Sequence, residues 1–316
     1  MIKSRLPVHL VTDAEITGGD RVNKQLTLRD RSPGDSVCSW LPVFLALCAL
    51  DISPASSQSI DGTILRPRFV SAYTNKIVRF NIYLPAAYED RTDRYPVIYQ
   101  LHGRGGNQSS NNRTIASHVD RALAAGLLPP VIVVFPDGQR DSWWADSKNG
   151  RITAETDVIR EVIPYVDANY RTKATRSFRA VQGFSMGGTG AIEYALKFPE
   201  LFSVSVSYDG GFQTWEGLSQ DQREAAREMF SMDEAYFSRY SPWSNAATYL
   251  ETADDYPVAF RIVAGQLPLS APFANHLGQL GIQVSYEQTN CDHRLSCLSQ
   301  HNDFKSYHFI GYYFGE

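Results

Sequence analysis

Short runs of branched apolar residues, separated by stretches of helical period, constrain this chain more than any other feature. KIVRFNIYLP (76–85), YPVIYQLHG (95–103), the valine-rich PVIVVFPDG (130–138), FRAVQ (178–182), FSVSVSYDG (202–210), VAFRIVAG (258–265) and IQVSYEQ (282–288) read as strands. Between them SHVDRALAAGLL (117–128), AETDVIREVIPYVDANY (154–170), GAIEYALKF ahead of Pro199, a stretch ending at Leu280 and an aromatic C-terminal stretch read as helices. Within 154–170, Val158, Ile159, Val162, Ile163 and Val166 share one face. Strands this apolar must be covered on both sides. That predicts an α/β fold with a mostly parallel central sheet, helices on both faces, and a polar, Trp-bearing helical insert (211–255) after the sixth strand. Ligands in such sheets sit beyond the carboxyl ends of the strands.

VQGFSMGGTGA (181–191) lies at one of those ends. Gly183-Phe184-Ser185-Met186-Gly187 fits G-x-S-x-G, with a strand before it and a helix after it, the context this motif requires. Side chains two residues either side of the serine would collide in so sharp a turn, and glycine removes the clash. Ser185 is thereby expected to stand above the sheet as a nucleophile, with the Met186 N–H at the helix N-terminus facing any oxyanion. A second donor is expected from the loop after VIYQLHGRGG, by geometry the N–H of Leu101 or a neighbour. That loop fails as a dinucleotide fingerprint, since Gly103 and Gly105 are followed by Gln108 where the third glycine belongs.

A hydroxyl nucleophile needs a base that titrates near neutrality. Of seven histidines, His293 follows the last strand and precedes the last helix, where the order nucleophile, acid, histidine requires it. His102 reads as structural, and His118, His276, His301 and His308 as surface or packing residues on helices. No H-E-x-x-H or Cys/His cluster suggests a metal, and no cofactor is expected.

YPVIYQLHGRGG, EVIPYVDANYRT, RAVQGFSMGGTGAIEYALKFPELF and CDH together resemble the esterase D and feruloyl or acetylxylan esterase group of α/β-hydrolases (carbohydrate esterase family 1-like), which includes the mycolyltransferases. The resemblance covers roughly 70–316. It implies an α/β-hydrolase fold and a serine ester hydrolase with Ser185 as nucleophile, His293 as base, and oxyanion donors at Met186 and near Leu101. Members usually carry the acid a few residues after the strand that here reads RIVAG. This chain has GQLPLSAPF there, and no carboxylate between Tyr256 and Tyr286. The next strand end inward carries SYDGG, so Asp209 is the expected acid, since a triad is defined by geometry and not by chain position. Asp before two glycines is also a turn signal. Asp254 and Asp255 fall at the wrong end of a strand, and Asp292 is too close in sequence to His293 to orient it.

DSWWADSKNG (141–150) follows a strand end, so Trp143 and Trp144 could stack an acyl group or a sugar, or simply pack beneath a loop. Trp215, Phe230, Tyr236, Phe237 and Trp243 of the insert could cap the acyl pocket, and Trp215 joins the expected substrate-binding set. The expected activity is hydrolysis of feruloyl, acetyl or similar small esters, including polysaccharide-linked ones, through an acyl-enzyme. An acyltransferase or an S-formylglutathione-type thioesterase would share every one of these residues. From another class, a non-catalytic carbohydrate-binding relic would explain a lost acid.

Thirty basic against 34 acidic residues, with no Lys/Arg run, point away from nucleic acid. Residues 61–316 are expected to form the catalytic domain and 1–60 an extension. Within that extension WLPVFLALCAL (40–50) suits a signal-peptide h-region and is too short for a stable membrane span, while small residues near 55–58 suit cleavage. The near-neutral segment ahead of it is a poor n-region, as a start codon assigned too far upstream would produce. Secretion or a periplasmic location is therefore expected, with a cytoplasmic one if the leader is no signal. Beyond the leader only Cys291 and Cys297 remain, either a small disulfide loop around His293 or two thiols.

Overall fold

The computed structural model describes residues 60–315, so the apolar stretch 40–50 and its cleavage region lie outside the described residues. Each apolar run becomes a strand: β3 (Ile77–Leu84), β4 (Val97–Leu101), β5 (Ile132–Pro136), β6 (Arg179–Phe184), β7 (Val204–Tyr208), β8 (Ala259–Ala264) and β9 (Val284–Gln288). Two three-residue strands precede them, β1 (Thr63–Leu65) and β2 (Arg68–Val70), too short and too exposed to show a period in sequence. The order is β1-β3-β5-β4-β6-β7-β8-β9, with β2 also on β3. β1, β2 and β5 run antiparallel to β3, and every pairing from β5 to β9 is parallel. With the two edge strands counted, the insert follows the seventh strand rather than the sixth.

Among the described residues nine α-helices accompany the sheet: α1 (Asn112–Ala124), α2 (Ala154–Thr156), α3 (Ile163–Asn169), α4 (Met186–Lys197), α5 (Gln220–Phe230), α6 (Glu234–Ser238), α7 (Pro242–Tyr249), α8 (Ser270–Gln279) and α9 (Leu295–Tyr313). Strand pleating divides the core. From β4, Val97, Tyr99 and Leu101 join Val166 of α3, Ile192 of α4 and Phe273 of α8, whereas Ile98 joins Val119 of α1 and Tyr307 of α9 on the other face. The stretch read as one helix over 154–170 is interrupted by a π-helical turn, Asp157–Val162. Pro164 follows directly; its ring would strike the carbonyl four residues back in an unbroken α-helix, and the wider turn relieves that clash.

Among the described residues, no helix is long and apolar enough to cross a membrane. One ionisable side chain of α4 enters the core. Glu193 of α4 is buried against α7, where Asn245 Nδ2 donates to its Oε1 at 2.6 Å and its Oε2 has no partner. Burial pushes its pKa up to about 8, against a smaller opposing pull from Lys197.

A raised folded-state pKa means that the stability contributed by this proton is complete below the ordinary glutamate value and is lost as pH climbs toward 8. Glu193→Gln keeps the acceptor for Asn245 and cannot ionise. Calorimetric melting should therefore give equal Tm values for variant and wild type near pH 4.5, and a higher variant Tm at pH 8.5, where a shift of this size is worth up to about 5 kcal/mol and each kcal/mol moves Tm by about 2–4 °C in a domain of this size.

Candidate active site

Strand register sets the chemistry side by side. Phe184 of β6 pairs with Tyr208 of β7, and Tyr208 with Val263 of β8, so the residues just past them, Ser185, Asp209 and the 264–265 segment, leave the sheet at one level. Ser185 turns at φ 56° between β6 and α4, held by its N–H donating to the Tyr208 carbonyl at 3.0 Å. A Cβ at Gly183 would lie 2.0 Å from the Gly187 carbonyl oxygen, and one at Gly187 would lie 2.3 Å from that of Leu101. Backbone crosses backbone at both points, which is why the serine is bracketed by glycine.

His293 reaches back over this turn. Its Nε2 is 3.0 Å from Ser185 Oγ and its Nδ1 2.7 Å from Asp209 Oδ2. A carboxylate only accepts, so Nδ1 carries the proton and Nε2 is left to accept from the serine hydroxyl. The ring packs on Phe184, centroids 4.5 Å apart. Asp209 is fully buried at φ 49°, a left-handed conformation that aspartate tolerates better than most residues. Its second oxygen accepts from the Gly265 N–H at 2.8 Å. Gly265 stands where a Cβ would come within 2.8 Å of Asp209 Oδ2 and 3.0 Å of the Cys291 carbonyl. This second contact of the carboxylate left no mark in the sequence beyond the final glycine of RIVAG.

The rival carboxylates lie elsewhere. Asp254 and Asp255 are exposed ahead of β8, and Asp292 pairs with Arg294. His102 is buried, and burial lowers its pKa. Its Nε2 accepts from the Gly138 N–H at 3.1 Å while Nδ1 faces the Gly103 carbonyl at 2.9 Å, so it is a neutral brace for the loop. His118 bonds Ser299 at 2.8 Å in the core, and its pKa is pushed down to about 4, chiefly by burial. Cys291 and Cys297 form a disulfide.

A cavity of about 350 Å³ opens from Ser185, with Met186 and Thr189 of α4, Gln213, Phe237, Tyr240 and Pro242 of the insert, and Leu267 and Leu269 on its walls. Met186 begins α4, so its N–H has no intrahelical partner, and the residue lines the cavity beside Ser185. Leu101 is buried in the ladder opposite Gly183, with its carbonyl against Gly187; nearer the serine itself is its neighbour Gly103, whose Cβ position lies 3.3 Å from Ser185 Cβ, followed by Arg104 on the cavity wall.

The tryptophans divide. Trp143 and Trp144 are both left-handed, φ 57° and 59°, and this places them on opposite sides of their loop. Trp143 lines the cavity and gives its N–H to Met186 Sδ at 3.3 Å. Trp144, expected at the substrate, is instead core: it is 1% exposed, its Nε1–H donates to the His102 carbonyl at 3.1 Å, and its own carbonyl accepts from Tyr194. Trp215 sits behind the wall, 5.4 Å from the Phe237 ring, and does not line the cavity. Sequence reasoning missed Arg104, which pairs with Asp141 at 2.8 Å, and the two leucines of GQLPLS.

The Esterase family model matches residues 71–267. An esterase of Mycobacterium tuberculosis (strain H37Rv) is 39% identical over 133 residues, 41% of this chain and 28% of that protein. An endo-1,4-beta-xylanase/feruloyl esterase of Xylanibacter ruminicola is 35% identical over 159 residues, 48% of this chain and 22% of that protein. The chain thus matches under a third of the length of these curated relatives. A solved ferulic acid esterase superposes with a TM-score of 0.70 at 20% identity, covering 81% of this chain and 100% of that one, which establishes a shared fold.

If Asp209 alone fixes the imidazole, Asp209→Asn should slow labelling of Ser185 by a fluorophosphonate by about 10⁴-fold, the scale of losing that partner in a comparable triad. Asp254→Asn and Asp255→Asn should label at the wild-type rate; a slow Asp255→Asn protein would overturn the assignment.

Proposed function

The chain belongs to the Esterase family, and on that premise we propose that it is a serine carboxylic-ester hydrolase working through an acyl-enzyme, with Ser185, His293 and Asp209 as its triad. One observation carries the reading: an unbroken hydrogen-bonded line from Ser185 Oγ through the imidazole to a buried carboxylate. It also answers the motive for a non-catalytic relic, which was the carboxylate absent after RIVAG.

His293 Nε2 takes the hydroxyl proton as Oγ bonds to the substrate carbonyl carbon, and the imidazolium so formed is held by Asp209. Negative charge develops on the carbonyl oxygen. The Met186 N–H, aided by the α4 N-terminus, faces it, and the second donor is assigned to the Arg104 N–H, because Gly103 runs within 3.3 Å of Ser185 Cβ and Arg104 stands on the cavity wall. Collapse expels the alcohol, which takes its proton from Nε2. Water, deprotonated by the same nitrogen, then cleaves the acyl-serine and releases the acid.

The acyl group lies in the cavity between Trp143, Phe237, Leu267 and Leu269. Aromatic walls from Trp143, Phe237 and Tyr240, with the polar Gln213 beside them, suit a phenolic acyl group, and two of the similar proteins bear feruloyl or ferulic acid esterase in their names. The substrate class is therefore a hydroxycinnamoyl or acetyl ester, including esters on polysaccharide. Residues 61–316 are the catalytic domain, 211–255 its cap, and 1–60 a leader for export. The disulfide beside His293 supports an oxidising compartment.

Wild type should hydrolyse p-nitrophenyl acetate and Ser185→Ala should not, with kcat reduced by at least about 10⁴-fold. Across methyl ferulate, acetylated xylan and S-formylglutathione, kcat/KM should be highest for the ferulate; a preference for the thioester by tenfold or more would move the assignment to a thioesterase.

A further inference from the structure

The loop that delivers His293 is closed by a covalent bond the reaction itself does not use. Cys291 and Cys297 stand at its two feet, Cα atoms 5.8 Å apart, with Asp292, His293 and Arg294 on the exposed arch between them. The entry foot is fixed: the Thr289 N–H donates to the Ala264 carbonyl at 2.8 Å, and Cys291 is buried against Gly265. The exit foot is fixed as well, since Leu295 and Leu298 of α9 are buried and Arg261 of β8 donates to Ser306 of the same helix at 3.0 Å. The arch is different. Among the described residues, no backbone hydrogen bond joins 290–293 to another element; the Arg294 N–H donates to the Asp292 carbonyl at 2.6 Å, the Arg294 carbonyl accepts from Cys297 and Leu298 in the first turn of α9, and the Arg294 side chain pairs with Asp292. Beyond the two ring bonds, the contact with Phe184 and the seating of the Arg294 carbonyl on α9, the disulfide limits where His293 can swing by tying Cys291, on its other side, to the same helix.

Resting on the esterase reading, we propose that the Cys291–Cys297 disulfide is a positioning group for His293 and makes the activity depend on redox state. With the bridge closed, Nε2 stays within reach of Ser185. A dithiol reductant opens it: one thiolate attacks the sulfur of Cys297, the less buried of the two cysteines, Cys291 leaves as a thiol, and the second reductant thiol releases Cys297, so two electrons and two protons pass to the protein and the reductant departs as a cyclic disulfide. The arch then spans its feet without a tie, and proton transfer slows. Binding is spared, because no residue from 289 to 298 lines the acyl cavity.

The test compares the full chain before and after dithiothreitol, with alkylation and peptide mapping to establish that Cys291 and Cys297 are free. Reduction should lower kcat on p-nitrophenyl acetate about tenfold or more with KM within twofold, leave the far-UV circular dichroism unchanged, and be reversed by reoxidation. The Cys291→Ser/Cys297→Ser variant should show the reduced enzyme's kcat and ignore dithiothreitol. Full kcat in the alkylated protein or in the double variant overturns the proposal, and so does a loss that accompanies unfolding at the assay temperature. Hydrolysis surviving in oxidised Ser185→Ala would instead sink the esterase reading itself, so the two failures are separate.

Discussion

Everything at the rim of this sheet depends on one buried carboxylate having both oxygens committed. Asp209 is sealed from solvent, where an ionised group without partners is strongly unfavourable, and it is balanced by the Gly265 amide on one oxygen and the His293 ring on the other. The left-handed backbone at Asp209 costs up to about 1–3 kcal/mol. Two charge-assisted hydrogen bonds in a low-dielectric setting offset that. The imidazole has no comparable anchor of its own: its side chain is 37% exposed. Its tautomer and direction are borrowed from the carboxylate.

The sheet makes that arrangement reproducible. Because β6, β7 and β8 are parallel and in direct register, the turns that follow them emerge side by side, and short side chains suffice to connect them. Beneath the rim the polar groups are also joined strand to strand. Tyr208 donates to Gln182, and Gln182 to Gln100, so the layer under the nucleophile is a hydrogen-bonded row across β7, β6 and β4 and not an apolar one. Such a row resists slippage of one strand past its neighbour, which would separate Ser185 from Asp209 at once.

Sequence carried the strands, the serine turn and the histidine because each is a local pattern: alternation of apolar runs, glycine spacing, position after the last strand. Asp209 was reachable only by combining an absence after RIVAG with the expectation that neighbouring strands end together. What stayed hidden depends on directions that spacing does not encode. Trp143 and Trp144 are adjacent in WW, yet consecutive left-handed residues send one indole to the cavity and the other beneath His102. Leu101 and Gly103 are two residues apart, and only the ladder shows that the strand has not yet ended at the first. The π-helical turn before Pro164 similarly breaks no periodicity strong enough to be read.

Moving the acid inward by one strand has a consequence for the pocket. A carboxylate placed after β8 would have to occupy the segment that here runs Gly265 to Leu269, and it would bring charge and its hydration to the cavity edge. With Asp209 reaching across from β7, that segment is released from proton transfer: Gly265 supplies only a backbone N–H, and Leu267 and Leu269 become apolar wall. The same displacement confines the disulfide loop to the histidine side of the rim. The cavity wall and the Asp209–His293 pair therefore meet at Gly265: its N–H holds the carboxylate, while Leu267 and Leu269 farther along the segment make no contact with that pair and are available to shape the cavity.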